Sequence, residues 1–398
     1  MFSGDIRLSI RERTSLRAYV ATEEQWLFEA MEDGYEVTLP PGASLKVPTA
    51  SAVPNRDGRP SWTTADLIVN EVQAGDVASA HTFIIHVVRS LGPGVYWPRR
   101  PVTGGTQNQI SFSLPGWDLT IEADTDGRPS GFAHIIEATP TRRPVTAEDV
   151  EHLGYRLFIL LSFLRGSEIG IGPIVGLGAD SGIVWARWTP PRAKQTGGRH
   201  RWCWPGLVPV ALPALASGMS TLAAERGLEI AVLRATELLL TANDASGGLP
   251  LDVRIPVVAS GLELMAWSVL QHCGWLTSHT ANSRQLQARA RLRLLLKWAG
   301  VPTELPHGFS ALRRRALEQR EPEGPELVFW LRNRLVHPPK SATDPDWPKG
   351  DEMIEGLTLA LWYLELSILR VLGYQGEYVS RLVQRGWEGD TTKVPWTV

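Results

Sequence analysis

The segment PELVFWLRNRLVHPP, from Pro325 to Pro339, carries Arg332, Asn333 and His337 in the pattern R-N-x-x-x-H. On a helix, Asn333 and His337 are four residues apart and share one face. Arg332 stands about 100° round from Asn333. Its long side chain still reaches the same pocket, and a guanidinium binds phosphate through paired N–H donors. Histidine titrates near neutral pH, which suits it to proton transfer. One turn of helix therefore offers a phosphate clamp, a polar orienting group and an acid/base. Those are the parts an RNA 2′-hydroxyl needs to attack its adjacent phosphate without a metal. Arg332, Asn333 and His337 are the candidate catalytic residues.

A second set of residues could serve the same chemistry by binding the RNA backbone. Arg289, Arg293 and Lys297 recur every four residues and share a helix face, and Arg313 and Arg314 follow in a run with Arg315. Such a strip can steer a polyanion toward the motif; a solvated helix face explains it equally well. Between Arg192 and Trp204, the residues Arg199, His200 and Arg201 mix with Trp202 and Trp204. Arginine and aromatics together can hold single-stranded RNA by stacking, but packing at a domain junction is the favoured reading.

The elements that must position these residues differ between the two halves. Tyr35–Leu39, Ala65–Val72, Thr82–Val88, Asn108–Leu114 and Trp117–Ala123 alternate apolar and polar residues or are rich in β-branched and aromatic types, and Asp5–Arg11 reads likewise. Asp-Gly and Gly-Gly pairs separate them. One helix interrupts, with Thr146 as N-cap, Asp149 three residues on and Gly166 as its stop. Residues 189–205 read as an exposed basic connection. From about Leu212 the periodicity becomes helical, over Leu228–Thr241, Val257–Trp275, Ser283–Trp298, Phe309–Gln319, Pro325–His337 and Asp351–Leu372. The expected fold class is α+β in two domains: a β-rich N-terminal domain over 1–205, with one helix near 146–165, and an all-α domain over 206–398.

The R-N-x-x-x-H helix resembles the R-x4-6-H signature of the HEPN superfamily, and the R-N start is the form usual in its ribonuclease members. The helix order agrees: a long helix with Glu263 in SGLELMAW, the motif helix before a loop, and a long closing helix. A β-rich domain followed by a C-terminal HEPN domain is similar to the ApeA-type bacterial anti-phage proteins. The resemblance covers about half the chain by motif and the rest by architecture alone. It implies a homodimer with one composite site, metal-independent cleavage of RNA (tRNA among the candidate substrates), and a 2′,3′-cyclic phosphate product. It also implies roles: Arg332 on the phosphate, Asn333 orienting, His337 handling the proton. The N-terminal domain would sense a phage-derived trigger or restrain the nuclease. Two other readings stay open: a catalytically inactive HEPN module for RNA binding or dimerisation, and the toxin half of a pair restrained by an antitoxin.

Composition narrows the field. The 398 residues carry a formal net charge of -2, with 43% hydrophobic and 21% charged residues, so a globally basic coat for nucleic acid is not expected. Cys203 and Cys273 fit no disulfide or chelating spacing, and reduced thiols in a cytoplasmic protein are expected. The N-terminus shows no apolar leader. The uncharged stretches Trp202–Ala224 and Leu264–Ser283 are broken by Pro205, Pro209 and Pro213 or by polar residues, so no membrane span is expected. His81 and His86 would face opposite sides of a strand, and His272, Cys273 and His279 lack a fourth ligand. The glycines from Gly170 to Gly176 miss dinucleotide-loop spacing. No metal and no cofactor are expected.

Overall fold

Along Thr82–Val88, and again over 109–122 and 133–140, burial follows a two-residue period. In the computed structural model, the described residues are 4–9, 15–21, 35–39, 43–47, 52–54, 60–63, 72–88, 91, 99–102, 105–123, 132–188, 193, 201–244, 248–281, 286–337, 347–383 and 389–397. Two small antiparallel assemblies come first. One joins β1 (Gly4–Ser9), β2 (Ser15–Ala21), β5 (Ala52–Pro54) and β6 (Pro60–Thr63), and the other pairs β3 (Tyr35–Leu39) with β4 (Ala43–Val47). Of the expected strand Ala65–Val72, all but Val72 lies outside the described residues.

The main sheet has eight strands. They are β7 (Val72–Gly75), β8 (Thr82–Val88), β9 (Arg99–Val102), β10 (Gly105–Leu114), β11 (Trp117–Ala123), β12 (Phe132–Pro140), β13 (Gly170–Leu177) and β14 (Ile183–Trp188). Their order is β7-β14-β13-β8-β12-β11-β10-β9, with antiparallel neighbours throughout. Phe112 lies opposite Leu119 and Ile121 opposite Ile136, so the inward set makes cross-strand apolar pairs. Phe83 meets Trp117 and Trp185 edge-on, with ring centroids 5.4 Å and 5.8 Å away.

Helix α1 (Ala147–Arg165) enters through a capping box. The Asp149 N–H donates to Thr146 Oγ1 at 3.2 Å, and the Thr146 N–H donates to Asp149 Oδ2 at 2.9 Å. It ends on Gly166, whose φ of 75° is the left-handed conformation that glycine adopts without strain. Leu153, Leu157, Leu160 and Leu164 bury its inner face in the core.

The stretch up to residue 205 departs from the expected exposed connection at its end. Trp202 is 0% exposed, donates its indole N–H to the Phe163 carbonyl at 2.9 Å, and lies against the rings of Phe163 and Tyr374. Cys203 beside it is buried, and desolvation pushes its thiol far above the usual range. The large apolar area of tryptophan outweighs the polarity of its sequence neighbours. Trp202 thereby joins the β-rich part to the helical part. Arg156 on α1 and Glu229 strengthen the joint with an ion pair at 2.7 Å.

The helical part comprises α2 (Val208–Leu222), α3 (Arg226–Asn243), α4 (Leu251–His272), the short α5 (Ser278–Ala281), α6 (Ala288–Ala299), α7 (Ser310–Gln319), α8 (Gly324–Val336) and α9 (Gly350–Val371). A last pair, β15 (Glu377–Tyr378) with β16 (Thr392–Lys393), follows. The layout is the expected α+β one, a β-rich N-terminal part followed by an all-α C-terminal part. Two helices begin earlier than periodicity suggested. Helix α2 runs through Pro213, with Pro209 near its start where missing N–H donors are tolerated. Helix α4 begins at Leu251 rather than Val257 and contains Pro256. Buried Leu212, Leu215 and Ile255 offset the lost hydrogen bonds. By length and composition both Pro205–Leu222 and Leu251–His272 could cross a membrane. Here each buries part of its apolar residues in the shared core, with α4 packed among α3, α6, α8 and α9, while Val210, Val253 and Trp267 stay exposed.

Candidate functional site

Helix α8 is fixed by its inner face and by two close approaches to α9. Leu327, Val328 and Leu331 are buried. Gly356 of α9 lies against Leu331: a Cβ there would stand 2.1 Å from Leu331 Cδ1. At the start of α8, a Cβ on Gly324 would stand 2.2 Å from the Tyr363 hydroxyl, and the Gly324 N–H donates to the Thr303 carbonyl at 2.8 Å. A side chain at either glycine would force the Leu331 or Tyr363 side chain to shift.

The outer face of α8 borders a cleft of about 570 Å³. Glu326, Trp330, Asn333 and His337 recur at spacings of four, three and four residues, so they form one stripe along it. Pro338 follows in the sequence and disfavours helical backbone at His337. His337 accordingly is the C-cap, with φ -105° and ψ 135°, and its N–H still donates to the Asn333 carbonyl at 3.0 Å. The Asn333 and His337 side chains are exposed.

Arg332 lies round the helix but reaches the cleft. Its side chain is 28% exposed, Nη1 donates to Asn333 Oδ1 at 3.1 Å, and Nη2 stands 3.8 Å from Glu263 Oε1 of α4. The structure thus brings Arg332, Asn333 and His337 to one solvent-reachable cleft, with Glu263 on its α4 wall. A guanidinium held by an amide and a distant carboxylate keeps donors for a phosphate.

The basic strip divides. Arg289 of α6 lines the cleft, together with Gln287 and with Gln319 and Glu321 at the end of α7. Arg289 donates to Glu326 at 2.7 Å and stands 3.6 Å from Glu321. Arg293, one turn on, pairs with Glu323 and donates to Glu326 at 2.7 Å. The Glu323 hydrogen bond holds the Arg293 guanidinium above its usual range. Glu326, 7% exposed, is thus a carboxylate clamped by two arginines that are each 43% exposed. Lys297 is exposed further along α6 and does not line the cleft. Arg313 bonds to His307 Nδ1 at 2.7 Å and Arg314 reaches Asp351 at 3.4 Å, and neither lines the cleft. Arg315 is buried, forked onto Glu352 and paired with Glu318.

Sequence reasoning did not single out Trp330 or Glu326. The heptad offset of Trp330 from His337 was the available signal. Trp330 lines the cleft and carries the Arg315 guanidinium 4.7 Å above its ring centroid.

A family profile described as the YopA C-terminal domain matches residues 231–393, which include every cleft residue named above. The chain is also similar to the SPbeta prophage-derived uncharacterized protein YopA of Bacillus subtilis (strain 168). The two are 24% identical over 249 residues, covering 63% of this chain and 54% of the relative. The chain therefore spans about half the length of the curated relative it matches. No solved structure matches the chain.

Proposed function

We propose that the cleft on α8 cleaves RNA by the HEPN-type route, with Arg332, Asn333 and His337 as its working groups. The observation that carries this reading is their convergence: three side chains placed by one helix end on a single solvent-reachable cleft. Arg332 binds the scissile phosphate and offsets the charge that develops on its oxygens. Asn333 fixes Arg332 and the phosphate by hydrogen bonds. His337 takes the proton of the 2′-hydroxyl as that oxygen attacks phosphorus. The bond from phosphorus to the 5′-oxygen breaks, the 5′-oxygen gains a proton, and the products are a 2′,3′-cyclic phosphate and a 5′-hydroxyl.

This scheme needs both a base and an acid, and one cleft presents one histidine. A second copy of the chain, related by a two-fold axis and facing the same stripe, supplies the other. The β-rich part then acts as sensor or restraint, in phage defence or a toxin-like shutdown of translation in the cytoplasm. The prophage origin of the relative supports a phage-linked setting. The test is cleavage of total bacterial RNA in chelator by wild type, His337→Ala and Asn333→Ala. Wild-type cleavage lost in both variants agrees with the proposal. Equal cleavage by all three contradicts it.

A further inference from the structure

We infer that Trp330 is a stacking platform for one unpaired base of the bound nucleic acid, so the cleft takes single-stranded RNA. The inference rests on the ribonuclease reading and adds a specificity determinant to it. Trp330 lies on the same stripe as Asn333 and His337, about one helical turn (roughly 5 Å) from Asn333. That is the scale of the separation between a nucleotide's phosphate and its base. A base on Trp330 therefore leaves its phosphate beside Arg332 and Asn333.

The ring is prepared for this. Arg315 covers one face, and Arg315 is itself held by Glu352 and Glu318, so the ring has a rigid backing. Trp330 is only partly buried and borders the cleft. Its indole N–H is buried without a hydrogen-bond partner among the described residues. Trp185 in the core shares that feature, whereas Trp202, Trp362 and Trp396 each donate theirs, so what sets Trp330 apart is its place on the cleft. No hydrogen bond fixes the edge of Trp330; what fixes it is the cation on its back. A base stacks on such a ring whatever its identity, because every base has a π-face. A base paired in a duplex cannot reach it.

The probe is a fluorescein-labelled 2′-O-methyl oligoribonucleotide, which lacks the attacking hydroxyl and so reports binding alone. Anisotropy is read for wild type, Trp330→Phe and Trp330→Leu, with circular dichroism confirming the fold of each. Trp330→Phe should bind within about threefold of wild type. Trp330→Leu, apolar but without a π-face, should lose about 10- to 100-fold. The same oligonucleotide annealed to its complement should bind wild type as weakly as the single strand binds Trp330→Leu.

A folded Trp330→Leu variant with wild-type affinity overturns the inference, as does equal binding of duplex or no binding by wild type. Should Trp330→Leu fail to fold, an abasic scan of the oligonucleotide on wild type decides: no position whose base matters overturns it. RNA cleavage measured beside binding separates the two proposals. Cleavage with an unaffected Trp330→Leu sinks the platform alone. Platform binding without cleavage by wild type sinks the nuclease reading and leaves the platform standing.

Discussion

Glu326→Gln should weaken the fold and strengthen RNA binding in the same molecule. In the wild type the Glu326 carboxylate accepts from Arg289 and Arg293 at 2.7 Å each. Removing one partner of a fully buried ion pair costs about 3–5 kcal/mol, whereas an exposed pair contributes about 0–1 kcal/mol. The glutamate is 7% exposed but both arginines are 43% exposed. Glutamine also keeps one acceptor, and Glu321 and Glu323 keep hold of the arginines. The loss should therefore be about 1–2 kcal/mol. That corresponds to a fall in Tm of roughly 2–6 °C. The same change removes a negative charge bordering the cleft and loosens two guanidinium groups. Each that gains a phosphate steepens the dependence of log affinity on log salt by about 0.7 for a single strand. Thermal melts give the first quantity, and anisotropy of a 2′-O-methyl oligonucleotide across a salt series gives the second. A variant that melts lower but binds RNA more weakly, with an unchanged slope, would refute the idea that these arginines face the nucleic acid.

Three further outcomes concern the frame. Thr146→Ala should cost about 1 kcal/mol at neutral pH. The Thr146 hydroxyl, then its backbone N–H, hold the Asp149 carboxyl below its usual range. That stabilisation is present above the unfolded value of about 3.9 and is lost as pH falls through the folded one. Melts should show the gap between variant and wild type narrowing below about pH 4. Glu365→Ala should cost about 3–5 kcal/mol in denaturant unfolding, because it strands Arg381 in a pair whose side chains are both 2% exposed. Replacing the pair together by Met and Leu should cost less. Native alkylation followed by mass spectrometry should modify Cys273 slowly, since burial raises its thiol, and leave Cys203 untouched.

The sequence made the local parts of the site legible, because capping and periodicity act over a few residues. Thr146, Asp149 and Gly166 announced α1, and the apolar spacing before Arg332 announced α8. Helix starts at prolines were not legible: Pro213 and Pro256 lie inside helices that tertiary packing keeps together. The basic strip looked unopposed because the carboxylates that hold Arg289 and Arg293, Glu321, Glu323 and Glu326, come from α8 and the residues just before it. Packing was the favoured reading for the segment that holds Trp202, but its partners, Phe163 and Tyr374, were not legible because they are distant in sequence. Trp330 read as one more apolar residue, since only the fold puts Arg315 behind it and a cleft beside it.

The central claim concerns which atoms the α8 cleft acts on, and the chemistry of the new RNA ends tests it most directly. Purified wild type is incubated in chelator with an RNA and with its fully 2′-O-methylated counterpart, and the fragments are analysed by mass spectrometry. The account predicts 2′,3′-cyclic phosphate ends from the RNA, none from the methylated strand, and none from either with His337→Ala. Fragments ending in a 3′-hydroxyl, or cleavage of the methylated strand, would contradict it.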